Sequence, residues 1–389
     1  MTRRGANEGT IRQRSDGRWE ARAIVTTSDG RRVRRSFLGR TRPTVRGKLS
    51  EALRADVAGR PTPSNRLTVG EFLRQWLEDS VRPSTRPSTY SSYSSIVRLH
   101  LEPGLGHLPL ARLSPQQVQT FLNAQSAAGL SARSVTMERA VLRQALGRAE
   151  RWGLVSRNVA KLVDPPRVAR RQITPFSPEQ ARAFLEVIRE DRLEALYLVA
   201  LGVGLRQGEI LGLGWSDVDL DAGTLTVRQA LQRVGGKLIL VEPKSVTSHR
   251  TVALPALVHE ALRAHRLRQL EERLRTGPRW RLDPRDLVFV STIGTPLEGI
   301  VVTRRFQALL RAAGLPHQRF HDLRHACASL LLSQGVAARV VMEQLGHSQI
   351  SLTLNTYSHV SSALGRAAAE RMNDLLGRQV PMSQPVSVG

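Results

Sequence analysis

The sequence predicts a multidomain α+β protein with three folded parts. We expect a small three-stranded sheet plus a helix, then a helical bundle, and then a mainly α domain with a small antiparallel sheet. Three observations predict this order. Residues 10–38 alternate as strands do, residues 66–165 hold four helical patterns with start signals, and residues 174–377 are mainly helical in pattern around a few strand-like runs.

The composition is strongly basic. The 389 residues include 58 Lys+Arg against 33 Asp+Glu, a formal net charge of +25, and residues 1–65 alone hold 16 Lys+Arg and 6 Asp+Glu. Such a surface favours a polyanion, and nucleic acid is the first candidate. The sequence has no long apolar run and no signal-peptide core, so we expect no membrane span and no secretion. The single cysteine excludes an intramolecular disulfide framework and fits a reducing cytoplasm.

The first part, residues 1–60, has the pattern of a sheet backed by a helix. Strand-like runs are separated by turns at 15–17 and 28–30, and they cover residues 10–14, 19–26 and 32–38. Pro43 then starts a helix. Its apolar positions recur on one face and are expected to pack on the sheet: Val45, Leu49, Leu53 and Val57.

The second part, residues 66–165, predicts a compact bundle of four helices. Thr68 and Glu71 have the spacing of a capping box before the first helix. The other helices are expected at 88–101, 115–127 and 132–152, the last two after Ser114 and Ser131. Linkers at 59–66 and 164–174 flank the bundle, and the second is basic enough to follow a DNA backbone.

The third part, residues 174–377, starts its first helix at Ser177 and is followed by a flexible tail at 378–389. Its densest group of reactive side chains lies between residues 320 and 359. His321 and Arg324 are three residues apart in a predicted half-buried helix, so they share one face. A second short helix is predicted over 336–345.

Gly346 stops that second helix, and His347 lies just beyond it. Tyr357 follows on the next predicted helix, whose N-cap we expect at Ser351. A lone tyrosine is more often a packing residue, but a phenol beside imidazoles and a guanidinium suits attack on a phosphodiester, because cations stabilise the charge that develops. No zinc site is expected, since there is no HExxH motif and Cys327 lies on the apolar side of its helix.

Two upstream segments complete this group. Arg206 lies where an apolar helix predicted over 193–203 gives way to another, and Glu209 can brace it. Strand-like runs follow at 224–230, 238–241 and 250–254, with Lys244 in the turn that joins the last two. Lysines are rare in this arginine-rich chain. A lysine retained here indicates proton donation, which arginine cannot perform at neutral pH, although a solvated turn lysine is the alternative.

Together these residues resemble the catalytic set of the tyrosine recombinase (phage integrase) family. The family pattern is Gly-Leu-Arg-x-Gly-Glu, a β-turn Lys, His-x-x-Arg, Leu-Gly-His and a Tyr ten residues later, and it occurs here in order and without a gap. The catalytic residues that this resemblance implies are Arg206, Lys244, His321, Arg324, His347 and Tyr357. The resemblance covers about 174–376. A weaker one makes the first part similar to an arm-site DNA-binding domain and the bundle similar to a core-binding domain.

The resemblance implies a site-specific recombinase that integrates or excises a phage or mobile element. Tyr357 would attack a scissile phosphate and form a 3′-phosphotyrosyl bond, with Arg206 and Arg324 on the non-bridging oxygens. Lys244 would protonate the leaving 5′-oxygen, His321 would accept the tyrosine proton, and His347 would donate a hydrogen bond to the phosphate. No metal and no other cofactor is expected.

Two other functions remain open at this point. A type IB topoisomerase uses a similar set but typically has lysine at the position of His321. A non-catalytic DNA-binding regulator on the same fold should have lost at least one of the six residues, and none is missing.

The expected partners are double-stranded DNA attachment sites, a homotetramer on that DNA, and accessory DNA-bending or directionality factors. The DNA-reading arginines of the first part would lie on or beside its strands, about half of them facing DNA at once: Arg12, Arg14, Arg18, Arg22, Arg31, Arg32, Arg34 and Arg35. Near the C-terminus, an apolar stripe predicts a final helix with one buried face: Leu364, Ala368, Met372 and Leu375. The family resemblance implies that a neighbouring protomer buries this face. The arginine-rich stretch from His265 to Asp286 has no assigned role.

Overall fold

The structure is a computed structural model. It describes residues 9–27, 32–57, 67–169, 174–242, 249–281 and 285–346, together with residue 372. The chain forms two compact units, Met1–Arg170 and Arg171–Gly389. The expected linker at 59–66 and the tail therefore lie outside the described residues, as do most of the C-terminal stripe and residues 170–173 of the second linker.

The N-terminal sheet and helix have the predicted order. The elements are β1 (Thr10–Gln13), β2 (Trp19–Thr26), β3 (Arg32–Gly39) and α1 (Arg42–Val57). The strands pair antiparallel in the order β1-β2-β3. Alternation places Ala21, Ala23 and Val25 on the side of the sheet that packs against Val45 and Leu49 of α1.

One position of the α1 stripe was predicted wrongly. Leu53 is partly buried against the sheet, but Val57 is 90% exposed. Val57 is the last residue of α1, and β3 pairs with β2 only as far as Arg32 and Thr26. The stripe continues in sequence beyond the part of the sheet that could cover it.

The rest of the first unit is a helical bundle. Its helices are α2 (Val69–Trp76), α3 (Arg82–Ser84), α4 (Pro87–Ile96), α5 (Glu102–Leu105), α6 (Pro115–Ala127) and α7 (Ala132–Arg151). Helical turns with wider hydrogen bonding extend α2 over Leu77–Val81 and α4 over Val97–Leu101. The predicted capping box of Thr68 and Glu71 is present, and Ser114 and Ser131 cap α6 and α7 as expected.

The second unit is mainly helical. Its helices are α8 (Pro178–Ile188), α9 (Glu194–Leu198), α10 (Gln207–Leu211), α11 (Ala256–Thr276), α12 (Gly299–Ala312), α13 (Asp322–Ser333) and α14 (Ala338–Leu345). Ser177 caps α8 as predicted, and a wide turn extends α9 over Val199–Val203. Phe184 lies at the centre of the core, with its ring centroid 5.9 Å from that of Tyr197 and 5.5 Å from that of Phe306.

The strands of this unit form two small sheets. They are β4 (Val218–Asp219), β5 (Thr224–Val227), β6 (Ala230–Val234), β7 (Lys237–Val241) and β8 (Arg250–Ala253). One sheet has the order β4-β5-β8, and the other is the hairpin β6-β7. The single strand expected over 224–230 is therefore wrong. It is interrupted at Arg228 and Gln229, which belong to neither strand, and the side-chain amide of Gln229 donates to the carbonyl of Gly212 at 3.0 Å.

These elements confirm the predicted fold class, a largely helical protein with small antiparallel sheets. Within the described ranges, no helix is long and apolar enough to cross a membrane.

The first half of the unassigned stretch from His265 to Asp286 belongs to α11. His265 is 2% exposed, its Nε2 lies 2.8 Å from the carbonyl of Val288, and its ring packs 5.0 Å from Phe289. Burial lowers the pKa of His265 to about 4. The ring is therefore neutral in the folded protein at neutral pH and is part of the core.

The buried neutral ring makes stability depend on pH. The unfolded chain protonates this histidine near its ordinary pKa of 6.5, whereas the folded protein does so only near 4. Since the unfolded state binds more protons between these values, stability should fall by roughly 3 kcal/mol as pH drops through that window. Denaturant unfolding across this range measures it. His265→Phe should flatten the decline and the exposed His317→Phe should not; equal slopes in both variants contradict the assignment.

Candidate active site

Arg206 and Glu209 lie at the start of α10 and bind each other. Arg206 is the N-cap residue. Its Nη1 donates to Glu209 Oε1 at 2.6 Å, and its backbone N–H donates to Glu209 Oε2 at 3.0 Å. The brace predicted from the sequence is therefore present, and it fixes both the backbone and the side chain of Arg206.

Arg324 lies in the first turn of α13 and is only 2% exposed. Its Nη1 donates to the carbonyl of Gly204 at 2.6 Å, and its Nη2 donates to the carbonyl of Leu345 at 2.5 Å. Burial, and after it the charge of Arg206, lowers the pKa of Arg324 to about 9. The guanidinium thus stays charged at neutral pH, and these two bonds use two of its five donors.

Gly204 is required at its position by conformation and by packing. Its φ of 77° lies in the left-handed region that favours glycine. A Cβ atom there would also stand 2.4 Å from Leu345 Cδ2 and 3.1 Å from Cys327 Sγ. The glycine allows the segment before Arg206 to contact α13 and α14 closely, so that its carbonyl reaches Arg324.

The sequence interpretation missed a third arginine, Arg250, which was noted only as the start of a strand. Its Nη2 donates to Glu209 Oε2 at 3.0 Å, and its Nε donates to the carbonyl of Gln344 at 2.7 Å. Burial raises the pKa of Glu209, but Arg250 and then Arg206 outweigh it, so that its pKa is lowered. Glu209 is a buried carboxylate shared by two arginines.

The three arginines bind three consecutive carbonyl groups at the end of α14. Arg250 donates a hydrogen bond to the carbonyl of Gln344, Arg324 donates to that of Leu345, and Arg206 donates to that of Gly346, the last at 3.2 Å. The last carbonyls of a helix lack intrahelical partners and form the negative end of its dipole. The helix end therefore holds three cations in fixed positions. As the sequence predicted, α14 ends at Gly346, whose backbone is in the left-handed conformation.

His321 immediately precedes α13 and is open to solvent on one side. Its ring meets that of His325 edge to face, with centroids 5.1 Å apart. Partial desolvation of the ring lowers the pKa of His321, and the neighbouring charges of His325, Arg324 and Arg206 act in the same direction. The imidazole is thus neutral at neutral pH, as a proton acceptor must be. His325 was not singled out from the sequence, although its i+4 spacing from His321 was available as a signal.

The structure thus brings Arg206, Glu209 and Arg324 together. Lys244, His347 and Tyr357 lie outside the described residues, and their places in the site stay predictions. The described part of the chain contains no group of three His, Cys, Asp or Glu residues that could hold a metal ion.

Among the arginines predicted to read DNA, strand alternation separates two sets. One set lies on the face of the N-terminal sheet opposite α1: Arg12, Arg22, Arg32 and Arg34. Arg35 is paired with Ala23 on the α1 side.

Glu20 lies nearly buried on the face opposite α1. It binds Arg12 at 2.9 Å and Arg22 at 3.0 Å. Arg22, and after it Arg12, holds the pKa of Glu20 at about 2 despite burial. Arg14 and Arg18 flank Asp16 in the β1–β2 turn, and Arg31 lies outside the described residues.

Comparisons with known proteins agree with this architecture. The Phage integrase family matches residues 175–363, and the Phage integrase N-terminal SAM-like domain matches residues 68–125. The chain is 31% identical over 369 residues to a XerC-like tyrosine recombinase of Caldanaerobacter subterraneus subsp. tengcongensis, a match that covers 90% of this chain and 94% of that protein.

Two solved structures are similar in fold. The Tn1549 transposon integrase in complex with a circular intermediate DNA has a TM-score of 0.65 at 21% identity, and the match covers 79% of this chain and 99% of that chain. A lambda integrase tetramer bound to a Holliday junction has a TM-score of 0.55 at 20% identity, covering 88% and 96%.

The chain belongs to the phage integrase family, the tyrosine recombinases. It is accordingly a site-specific recombinase, an enzyme that breaks and rejoins DNA strands.

The role of Arg250 can be tested by Arg250→Met, which keeps a long unbranched side chain but removes its charge. The substitution leaves the buried Glu209 with one arginine fewer and the Gln344 carbonyl without this donor. Breaking a buried pair typically costs about 3 kcal/mol. DNA cleavage should fall because Glu209 and the end of α14, which hold Arg206, each lose a partner. Denaturant unfolding and a cleavage assay measure the two effects.

The matched control is Arg233→Met on β6, where the lost ion pair with Glu298 is solvent-exposed. That variant should change stability by less than about 1 kcal/mol and leave cleavage intact. If both variants behave alike, the bridge through Arg250 does not support the site.

Proposed function

We propose that this chain integrates or excises a phage or mobile element, and that Tyr357 is the nucleophile that forms a 3′-phosphotyrosyl intermediate. The observation that carries this proposal is the set of three arginines fixed on consecutive carbonyls of α14. These carbonyls end at Gly346, directly before His347. The chain segment that leads to Tyr357 therefore starts from a fixed cluster of positive charge.

The cluster suits a phosphate in the transition state. Arg206, Arg250 and Arg324 carry three positive charges against one on Glu209, so the site has a surplus of positive charge before DNA binds. Arg206 and Arg324 are the two that would contact the non-bridging oxygens. Because hydrogen bonds already hold both side chains, little reorganisation accompanies the reaction.

The remaining roles divide between proton transfer and hydrogen bonding. His321 accepts the proton of Tyr357, as the lowered pKa of its imidazole supports. Lys244 donates a proton to the leaving 5′-oxygen, and His347 donates a hydrogen bond to the phosphate. The phosphotyrosyl ester conserves the energy of the broken bond, so that a 5′-hydroxyl from another strand can reverse the step and complete strand exchange.

The domains divide the work on DNA. Residues 1–60 are proposed as an arm-type DNA-binding domain, 66–165 as the core-binding domain, 174–377 as the catalytic domain, and 378–389 as a tail. Separate hydrophobic clusters in the N-terminal sheet, the bundle and the second unit support this division. The four arginines that share the open face of the N-terminal sheet are the candidates for DNA contact in the first domain.

We further propose that the chain works as a homotetramer on its DNA sites in the cytoplasm, with accessory DNA-bending or directionality factors. The lambda integrase tetramer on a Holliday junction supports the tetramer through its related fold. The transposon origin of the Tn1549 integrase supports a mobile element as the source of this chain. His321 and the complete set of six residues favour recombination over the topoisomerase and regulator alternatives.

Tyr357→Phe removes the attacking oxygen and keeps the ring. Covalent protein–DNA complexes should disappear on a suicide substrate, while binding measured by gel shift stays within about twofold of wild type. Tyr93→Phe, which removes a hydroxyl in the bundle, should form covalent complexes normally. A normal yield of covalent complex with the Tyr357 variant would place the nucleophile elsewhere.

Lys244→Ala tests the general acid. Loss of a positioned acid typically slows the reaction by about 10² to 10⁴. A substrate with sulfur at the bridging 5′ position has a better leaving group and should restore most of that loss in a single-turnover assay. An equal defect on the oxygen and sulfur substrates would make Lys244 a phosphate contact rather than an acid.

A further inference from the structure

Helix α11 has an apolar face that points away from the core of its own chain. Its buried face consists of Val258, Leu262, His265 and Gln269. Leu267, Leu270 and Leu274, spaced three and four residues apart, are 66%, 48% and 82% exposed. At 100° per residue these leucines lie about opposite the buried face. Three aligned exposed leucines on one helix are typical of an interaction surface.

The two edges of this leucine stripe carry opposite charges. In a heptad with Leu267 and Leu274 at positions a and Leu270 at d, Arg266 and Arg273 occupy the g positions, and Glu271 occupies e. Arg266 lies over the Trp215 ring at 5.2 Å, and Glu271 forms an exposed pair with Arg275 at 3.5 Å. Neither group is buried in its own chain, so both can contact a partner.

We propose that the leucine stripe of α11 pairs with the same stripe of a second copy of this chain, with the two helices parallel. In parallel pairing each g position faces the e position of the other helix, so Arg266 meets Glu271 of the second copy twice across the two-fold axis. Antiparallel pairing would set arginine edge against arginine edge. Charge complementarity therefore selects a parallel pair of identical helices.

The small size of the stripe sets the strength of this contact. Three leucines per copy bury far less than the roughly 1,200 Å² of a stable interface. The contact is weak between free molecules and becomes effective when two copies are held close together, because the local concentration is then high. This inference does not rest on the catalytic roles proposed above.

Cysteine cross-linking tests the pairing directly. Across a parallel two-fold axis, equivalent positions face each other within disulfide range, so Leu270→Cys and Leu274→Cys should each form dimers under mild oxidation of the free protein at high concentration. The native Cys327 is buried and should contribute little. Leu257→Cys is the matched control, since Leu257 is 53% exposed on the same helix but lies off the stripe.

The stripe variants should give at least about tenfold more dimer than the control, a ratio that corresponds to about 1.4 kcal/mol. Equal yields from all three variants, or none from the stripe, overturn the proposal. The same proteins, after reduction, are assayed for covalent DNA cleavage. If cleavage is normal, a failure to form dimers concerns the pairing and not the recombinase function.

A charge swap tests the parallel arrangement. Arg266→Glu and Glu271→Arg should each raise the dimer dissociation constant several-fold in sedimentation equilibrium, and the double variant should restore it. Melting curves control for the lost contact between Arg266 and Trp215. If the double variant is as weak as the single ones, the helices do not pair in parallel, and another partner or this chain's own C-terminal segment covers the stripe.

Discussion

Three guanidinium groups occupy one small region of the second unit, and their mutual repulsion is the constraint that the architecture of the candidate active site satisfies. Like charges cannot lie together in a poorly solvated site unless each is offset by fixed negative partners. Here the partners are the Glu209 carboxylate and the carbonyls of Gln344, Leu345 and Gly346. The end of α14 satisfies its unpaired carbonyls with the same bonds that hold the arginines. The same hydrogen bonds therefore cap α14 and hold the three arginines in place.

This arrangement explains why backbone packing around the site is close. Gly204 brings its own carbonyl to Arg324 by contact with Leu345 and Cys327. On the other side of Arg206, Gly208 and Gly212 hold α10 against β6, where a Cβ atom would stand 2.9 Å from the Leu231 carbonyl oxygen and 2.8 Å from the Leu231 nitrogen, respectively. Small residues thus fix α10 from both directions. A rigid support of this kind fixes the position of Arg206 at the start of α10.

Arginine serves several distinct purposes in this chain, although the sequence presents it as uniform positive charge. Arg324 and Arg250 are buried structural and electrostatic groups. Arg192 joins Glu272 on α11 through bonds of 2.6 Å, and Arg305 anchors Asp191. On the N-terminal sheet, by contrast, arginines share an open face around a single buried glutamate. Net charge alone predicts a polyanionic partner, but it does not separate these uses, because each depends on what surrounds the side chain.

By itself, the sequence determined the fold class, the helix starts at Thr68, Ser114, Ser131 and Ser177, the brace between Arg206 and Glu209, and the end of α14 at Gly346. These features depend on residues a few positions apart, whose spacing is visible in the chain. Only the tertiary structure decided that Arg250 shares Glu209, that the expected strand breaks at Gln229, that Val57 is uncovered, and that the leucines of α11 face outward. Each of these depends on partners distant in sequence; Arg206 and the carbonyl it binds are 140 residues apart. Local pattern fixes which face of an element is apolar, but only packing decides what, if anything, covers that face.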